Sequence, residues 1–146
     1  MKTLFDSSVI IAFCVEQHPK HEVAKQWFLK AKNKEIELYV AGHSLMESYS
    51  VLTRTPFKPR INATQAKLLL EQNVLSFAQL IVLKAADYKR LLSQLVENNF
   101  IGGISYDAVV FESAALSGIQ QVITANAKDF LRLKAAFSYR INVIAI

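Results

Sequence analysis

The sequence predicts an α/β sandwich around a mostly parallel sheet. Three observations carry that prediction. Short apolar runs alternate with helical stretches along the whole chain, which is the pattern of strand–helix–strand units. The runs are continuous rather than alternating in polarity, as expected of strands covered on both faces. A chain of 146 residues that is 52% apolar and 20% charged can bury one core, so one domain over 1–146 is expected.

Taken in order, residues 3–5 read as a short buried strand ending at Asp6. Ser7 to Val15 follows as a short helix, with Pro19 ending that stretch. In His21 to Lys32 the apolar residues Val23, Ala24, Trp27, Phe28 and Ala31 recur at helical spacing. Ile36 to Ala41 is a strand that Gly42 closes, and Ser44 to Thr53 a helix. Two prolines break the loop Arg54 to Arg60. Thr64 to Val74 is a helix, Gln79 to Leu83 a buried strand, and Ala85 to Asn98 an amphipathic helix. After a loop holding Gly102 and Gly103 come a helix from Tyr106 to Ser117 and a strand from Gln121 to Thr124. A short helix, Lys128 to Leu133, and a last strand, Asn142 to Ile146, complete the pattern.

Several chemistries are excluded. One cysteine, Cys14, in an apolar run allows no disulfide framework and reads as a packing residue in a reducing compartment. No apolar run approaches the ~20 residues of a bilayer span, and the run Val9 to Val15 lacks the flanks of a signal segment. A cytoplasmic protein with no membrane contact is expected. No glycine-rich phosphate loop is present. His18 and His21 flank Pro19-Lys20 in a polar loop, and His43 has no visible partner, so all three read as structural. Without a histidine base, a Ser/His/Asp hydrolase is unsupported.

The acids are more informative. Only four aspartates occur, Asp6, Asp87, Asp107 and Asp129. Three of them lie at expected strand ends or helix starts, and Glu47 falls in the expected first turn of its helix. In a parallel sheet those ends share one rim, where ligands bind. Asp6, Glu47, Asp107 and the Asn126/Asp129 pair can therefore converge. Crowded carboxylates stay ionised only beside a cation, and a hard oxygen set suits Mg²⁺ or Mn²⁺. Each residue also has a plain reading. Ser44 and Glu47 fit a capping box, Asp6 fits a helix cap, and Asp107 complements a helix dipole.

The net charge is +5. Residues 51–100 carry seven basic and three acidic side chains, and Arg54, Lys58, Arg60 and Lys67 occur with no acid between Glu47 and Glu71. A basic rim beside an acidic metal pocket is the layout of a metal-dependent nuclease, with cations holding the phosphate backbone. Phe57 within this stretch either stacks on a base or anchors the loop.

These residues resemble the PIN-domain ribonucleases, and among them the VapC-type toxins of toxin–antitoxin systems. The resemblance spans essentially the whole chain. It rests on Leu4-Phe5-Asp6-Ser7-Ser8-Val9-Ile10, Ser44-Leu45-Met46-Glu47-Ser48-Tyr49, Gly102-Gly103-Ile104-Ser105-Tyr106-Asp107-Ala108 and Ile123-Thr124-Ala125-Asn126-Ala127-Lys128-Asp129-Phe130, in that order. It implies a three-layer sandwich with about five strands and Mg²⁺- or Mn²⁺-dependent hydrolysis of RNA that leaves a 5′ phosphate. The implied acidic set is Asp6, Glu47 and Asp107, which would hold the metal and activate water. Ser7 or Ser8 would support Asp6, and Thr124 and Asn126 would line the rim, with Arg54, Lys58 and Arg60 beside the substrate. Many members carry aspartate where this chain has Asn126, so either Asn126 or Asp129 is the fourth metal-facing group. The resemblance further implies a homodimer held inactive by a small antitoxin, with the helices at 21–32 and 64–75 as candidate surfaces. Two other readings compete: a non-catalytic PIN-like RNA-binding or scaffold domain, and a different α/β metal enzyme such as a phosphatase.

Overall fold

Five short segments pair side by side, and every pairing is parallel. The computed structural model describes all 146 residues. The strands are β1 (Lys2–Phe5), β2 (Glu37–Ala41), β3 (Ala78–Ile81), β4 (Gln121–Thr124) and β5 (Asn142–Ala145). The helices are α1 (Ser7–Cys14), α2 (His21–Lys32), α3 (Gly42–Arg54), α4 (Ala63–Leu70), α5 (Ala85–Glu97), α6 (Ile104–Leu116) and α7 (Ala127–Phe137). The sheet order is β3-β2-β1-β4-β5. The chain therefore builds outward from β1 to β3, then returns to the other side of β1 to add β4 and β5.

Side chains alternate across the sheet and feed two separate cores. Leu4, Tyr39, Ala41 and Val122 face Leu91, Leu95, Ala108, Phe111, Phe130 and Leu133 from α5, α6 and α7. Phe5, Leu38, Val40 and Ile123 face Val9, Ile10, Ala24, Phe28, Leu52 and Leu70 from α1 to α4. Each core holds 16 buried residues, so the sheet is covered equally on both sides. That is the expected three-layer sandwich, with a wholly rather than mostly parallel sheet. No helix is long and apolar enough to cross a membrane.

Five local expectations need correction. Gln79 to Leu83 is not a strand buried on both faces. β3 is an edge strand paired only to β2, and Gln79 and Leu80 are exposed. Gly42 does not close β2 but opens α3, where a Cβ would lie 3.1 Å from Val82 Cγ1. The stretch from Thr64 is α-helical only to Leu70 and ends in a π-helical turn at Glu71–Leu75. α6 starts at Ile104 rather than Tyr106, and α7 runs to Phe137 rather than Leu133. The continuing amphipathic pattern explains the last case, because Leu133 is buried and Phe137 packs against the same core.

Candidate active site

The reversal of strand order falls between β1 and β4. In parallel sheets the crevice beyond the strand ends opens at such a point. Asp6 follows β1 directly, and its backbone N–H donates to the Ile123 carbonyl at 3.1 Å. Its side chain is nearly buried, at 6% exposure. Asp6 occupies the cap position of α1 but makes no capping bond, so the plain capping reading fails. The carboxylate turns toward β4 instead. Oδ2 accepts from Ser8 Oγ at 2.8 Å and from Thr124 Oγ1 at 3.0 Å. Both hydroxyls are anchored in turn. Ser8 Oγ accepts from the Ala125 N–H at 2.9 Å, and Thr124 Oγ1 from the Asn126 N–H at 3.0 Å. Ser7 Oγ reaches Oδ1 only at 3.5 Å, which leaves that oxygen nearly free.

Asp107 lies in the first turn of α6 and is half-buried. Its carboxyl is pushed up to about 7, first by burial and then by the charges of Asp6, Asp129 and Glu47. Like charges near a carboxylate disfavour its ionised form. Asp6, Glu47 and Asp129 are thus near enough for their charges to act on Asp107. No three of them stand at the spacing of a preformed metal cage. The donor set is nonetheless all oxygen and strongly anionic, which fits a hard divalent cation.

Glu47 sits in the second turn of α3, not the first, because that helix begins at Gly42. The Ser44 capping box therefore does not form, and the Ser44 hydroxyl is buried without a partner. Glu47 is exposed and pairs with His43 Nε2 at 3.4 Å. His43 in turn stacks on Tyr106, with ring centroids 5.1 Å apart and planes 9° from parallel. His43, read as structural for want of a visible partner, thus has two. The signal was available, since residues four apart share a helix face. Nothing in the sequence singled out Tyr106.

Asp129 is one of the three acidic charges felt by Asp107, although Arg132 also pairs with it at 3.1 Å. Asn126 is exposed at the start of α7, and its side chain caps nothing. Lys20, unremarked in the sequence, ties the segment after β4 by donating to Ala125 O at 3.4 Å and Ile146 O at 2.6 Å.

The basic stretch does not join the cluster. Arg54 closes α3 roughly 10 Å beyond Glu47 along the helix axis. Arg60 lines a pocket with Cys14, Glu16 and Phe57 at the far end of α1. Lys58 is exposed between them. Phe57 packs against the core, which favours the anchoring reading. Cys14 is half-buried with its thiol pushed up to about 12 by burial, so it stays protonated. His18 and His21 are structural, His18 accepting from the Lys20 N–H and His21 bonding the Ala12 carbonyl.

A PIN domain family model matches residues 3–136. Ribonuclease VapC40 of Mycobacterium tuberculosis is 33% identical over 113 residues, spanning 77% of this chain and 78% of its own. Ribonuclease VapC27 of the same organism is 34% identical over 110 residues, spanning 75% and 74%. Among solved structures, VapC20 of M. tuberculosis, described as a sarcin–ricin loop cleaving toxin, superposes with a TM-score of 0.70 at 17% identity over 89% of this chain and 94% of that one. VapBC2 of Rickettsia felis, bound to a DNA fragment from its promoter, gives 0.69 at 17% over 100% and 99%. At those identities the structural likeness concerns the fold.

Proposed function

The chain belongs to the PIN domain family, and from that premise we propose that it is a metal-dependent endoribonuclease of the toxin kind, restrained by a small antitoxin protein. One observation carries the proposal: acids 22 to 123 residues apart in sequence are brought near enough that Asp107 feels Asp6, Asp129 and Glu47 together. The names of the relatives, ribonucleases VapC40 and VapC27, support the reaction class. The antitoxin reading is supported by the structural neighbours, which include VapBC and FitAB complexes.

Asp6, Glu47 and Asp107 would hold Mg²⁺ or Mn²⁺, with Asp129 as a fourth charge. The ion supplies positive charge that polarises the scissile phosphate and lowers the pKa of an attacking water. Ser8 and Thr124 occupy Asp6 Oδ2 and so aim Oδ1 outward. Glu47 or Asp107 takes the proton from the attacking water. Asn126, exposed at the rim, offers an amide to the substrate. A second copy of the chain belongs to the same reading, by family likeness.

Cleavage of structured and unstructured RNA, with Mg²⁺, Mn²⁺ or EDTA, tests the proposal. Cuts that need the cation and vanish in Asp6→Asn support it. RNA binding without product under either cation, by folded protein, would instead assign the non-catalytic role.

A further inference from the structure

Tyr106 is the residue immediately before Asp107, yet its side chain is left 60% exposed. Two other tyrosines of the chain use their polar ends. Tyr39 donates to Glu37, and Tyr139 to Glu112. The Tyr106 hydroxyl takes no such partner. What fixes this ring is its face, which lies on the His43 imidazole at 5.1 Å and 9°. His43 is itself held by Glu47. The rim therefore carries a flat aromatic ring, backed on one side and open to solvent, about one residue from an acidic side chain of the site.

We propose that Tyr106, backed by His43, is a stacking subsite for an unpaired RNA base next to the phosphate at the acidic rim. The inference rests on the endoribonuclease reading for the identity of the polymer. Single-stranded nucleic acid is gripped by bases stacking on aromatic rings, and stacking tolerates any base because each has a π-face. Here the stack has a second use. The acidic rim repels phosphate on its own, so an uncharged contact beside it holds the strand without opposing that charge. The basic stretch at Arg54, Lys58 and Arg60 lies too far along α3 and its following loop to grip the same nucleotide. His43 is a positioning residue in this scheme. It keeps the Tyr106 ring flat and touches no substrate.

The test measures equilibrium binding of short fluorescent single-stranded oligoadenylate to the full chain in EDTA, where metal-dependent cleavage does not intervene. Tyr106→Ala is expected to weaken binding about 5- to 150-fold, the usual range for one base–aromatic stack. Tyr106→Phe and Tyr106→Trp are expected to stay within about twofold of the parent, and His43→Phe closer to the parent than His43→Ala. An oligonucleotide made abasic at each position in turn should show one position at which the parent and Tyr106→Ala bind alike. Equal binding by parent and Tyr106→Ala, or loss of binding in Tyr106→Phe, overturns the subsite, as does no binding of oligoadenylate by the parent. Base-dependent binding without metal-dependent cleavage would overturn the nuclease reading and leave the subsite standing. Cleavage with KM unmoved by Tyr106→Ala would do the reverse.

Discussion

Asp107 and Glu112 lie five residues apart on α6, and the fold treats their carboxyls in opposite ways. Glu112 is 5% exposed. It is met by Arg90 from α5 at 3.3 Å and by the Tyr139 hydroxyl. Arg90 also bonds Asp87 at 2.9 Å. The Lys84 backbone N–H and then Arg90 hold the Asp87 carboxyl below its ordinary range. Both of these acids find a donor inside the chain. Asp107, on the rim side, finds three further acids. The two carboxyls of α6 thus differ: Glu112 is met by donors from the chain, whereas Asp107 is pushed up by burial and by further acids.

Substitutions can break that contrast from either side. The largest effect is expected from Asp6→Asn or Asp107→Asn, each lowering RNA cleavage about a thousandfold, the scale of several kcal/mol of lost charge stabilisation. Circular dichroism should show both variants folded. Glu112→Ala should do the opposite. It costs about 1–3 kcal/mol in urea unfolding by stranding the Tyr139 hydroxyl, with cleavage unchanged. Thr124→Val removes one of the two hydroxyls on Asp6 Oδ2 and an acceptor for the Asn126 N–H. About 1–2 kcal/mol of stability should be lost, together with part of the activity.

Added Mg²⁺ or Mn²⁺ should raise the thermal midpoint of the parent and of Glu112→Ala, but much less that of Asp107→Asn. An equal rise in all three would place the cation elsewhere. The pH response in EDTA sharpens the same point. Asp107 is raised from 3.8 to about 7 on folding, so its contribution to stability is full below about pH 4 and is lost as pH climbs to 7. Asp87 is lowered and acts with the opposite sign, its contribution lost as pH falls. Asp107→Asn should therefore flatten the decline between pH 4 and 7. The smallest effect is expected from Lys58→Ala with Arg60→Ala, a few-fold rise in KM with a weaker salt dependence.

The layers of this fold were legible because periodicity reports burial, and both cores repeat at the spacing of their elements. Edges were less so. Gln79-Leu80-Ile81-Val82 reads as a buried run because apolar content does not say whether a strand has one neighbour or two. Helix starts slipped for a related reason. Ser44 has the chemistry of a cap, but Gly42 alone tolerates the crowding near Val82, and the helix begins there. The acids were readable from their position at strand ends. Their supports were only half readable. Ser8 and Thr124 followed from likeness to relatives, whereas the His43–Tyr106 stack joins two helices and has no signature in either segment. The basic stretch was legible only as charge, because a sequence carries no depth: Arg54 shares a helix face with Glu47 but stands two turns away.

The central strand, β1, holds the earliest residues of the sheet, and the partner that completes its far side, β4, comes 118 residues after Asp6 at Thr124. During synthesis β1 can pair with β2 early, but the Asp6 side chain has no second hydroxyl until β4 has emerged. A contact with so large a loop to close also forms late in refolding. A chain that has made β1 to β3 but not β4 therefore carries an Asp6 whose Oδ2 still lacks the Thr124 hydroxyl.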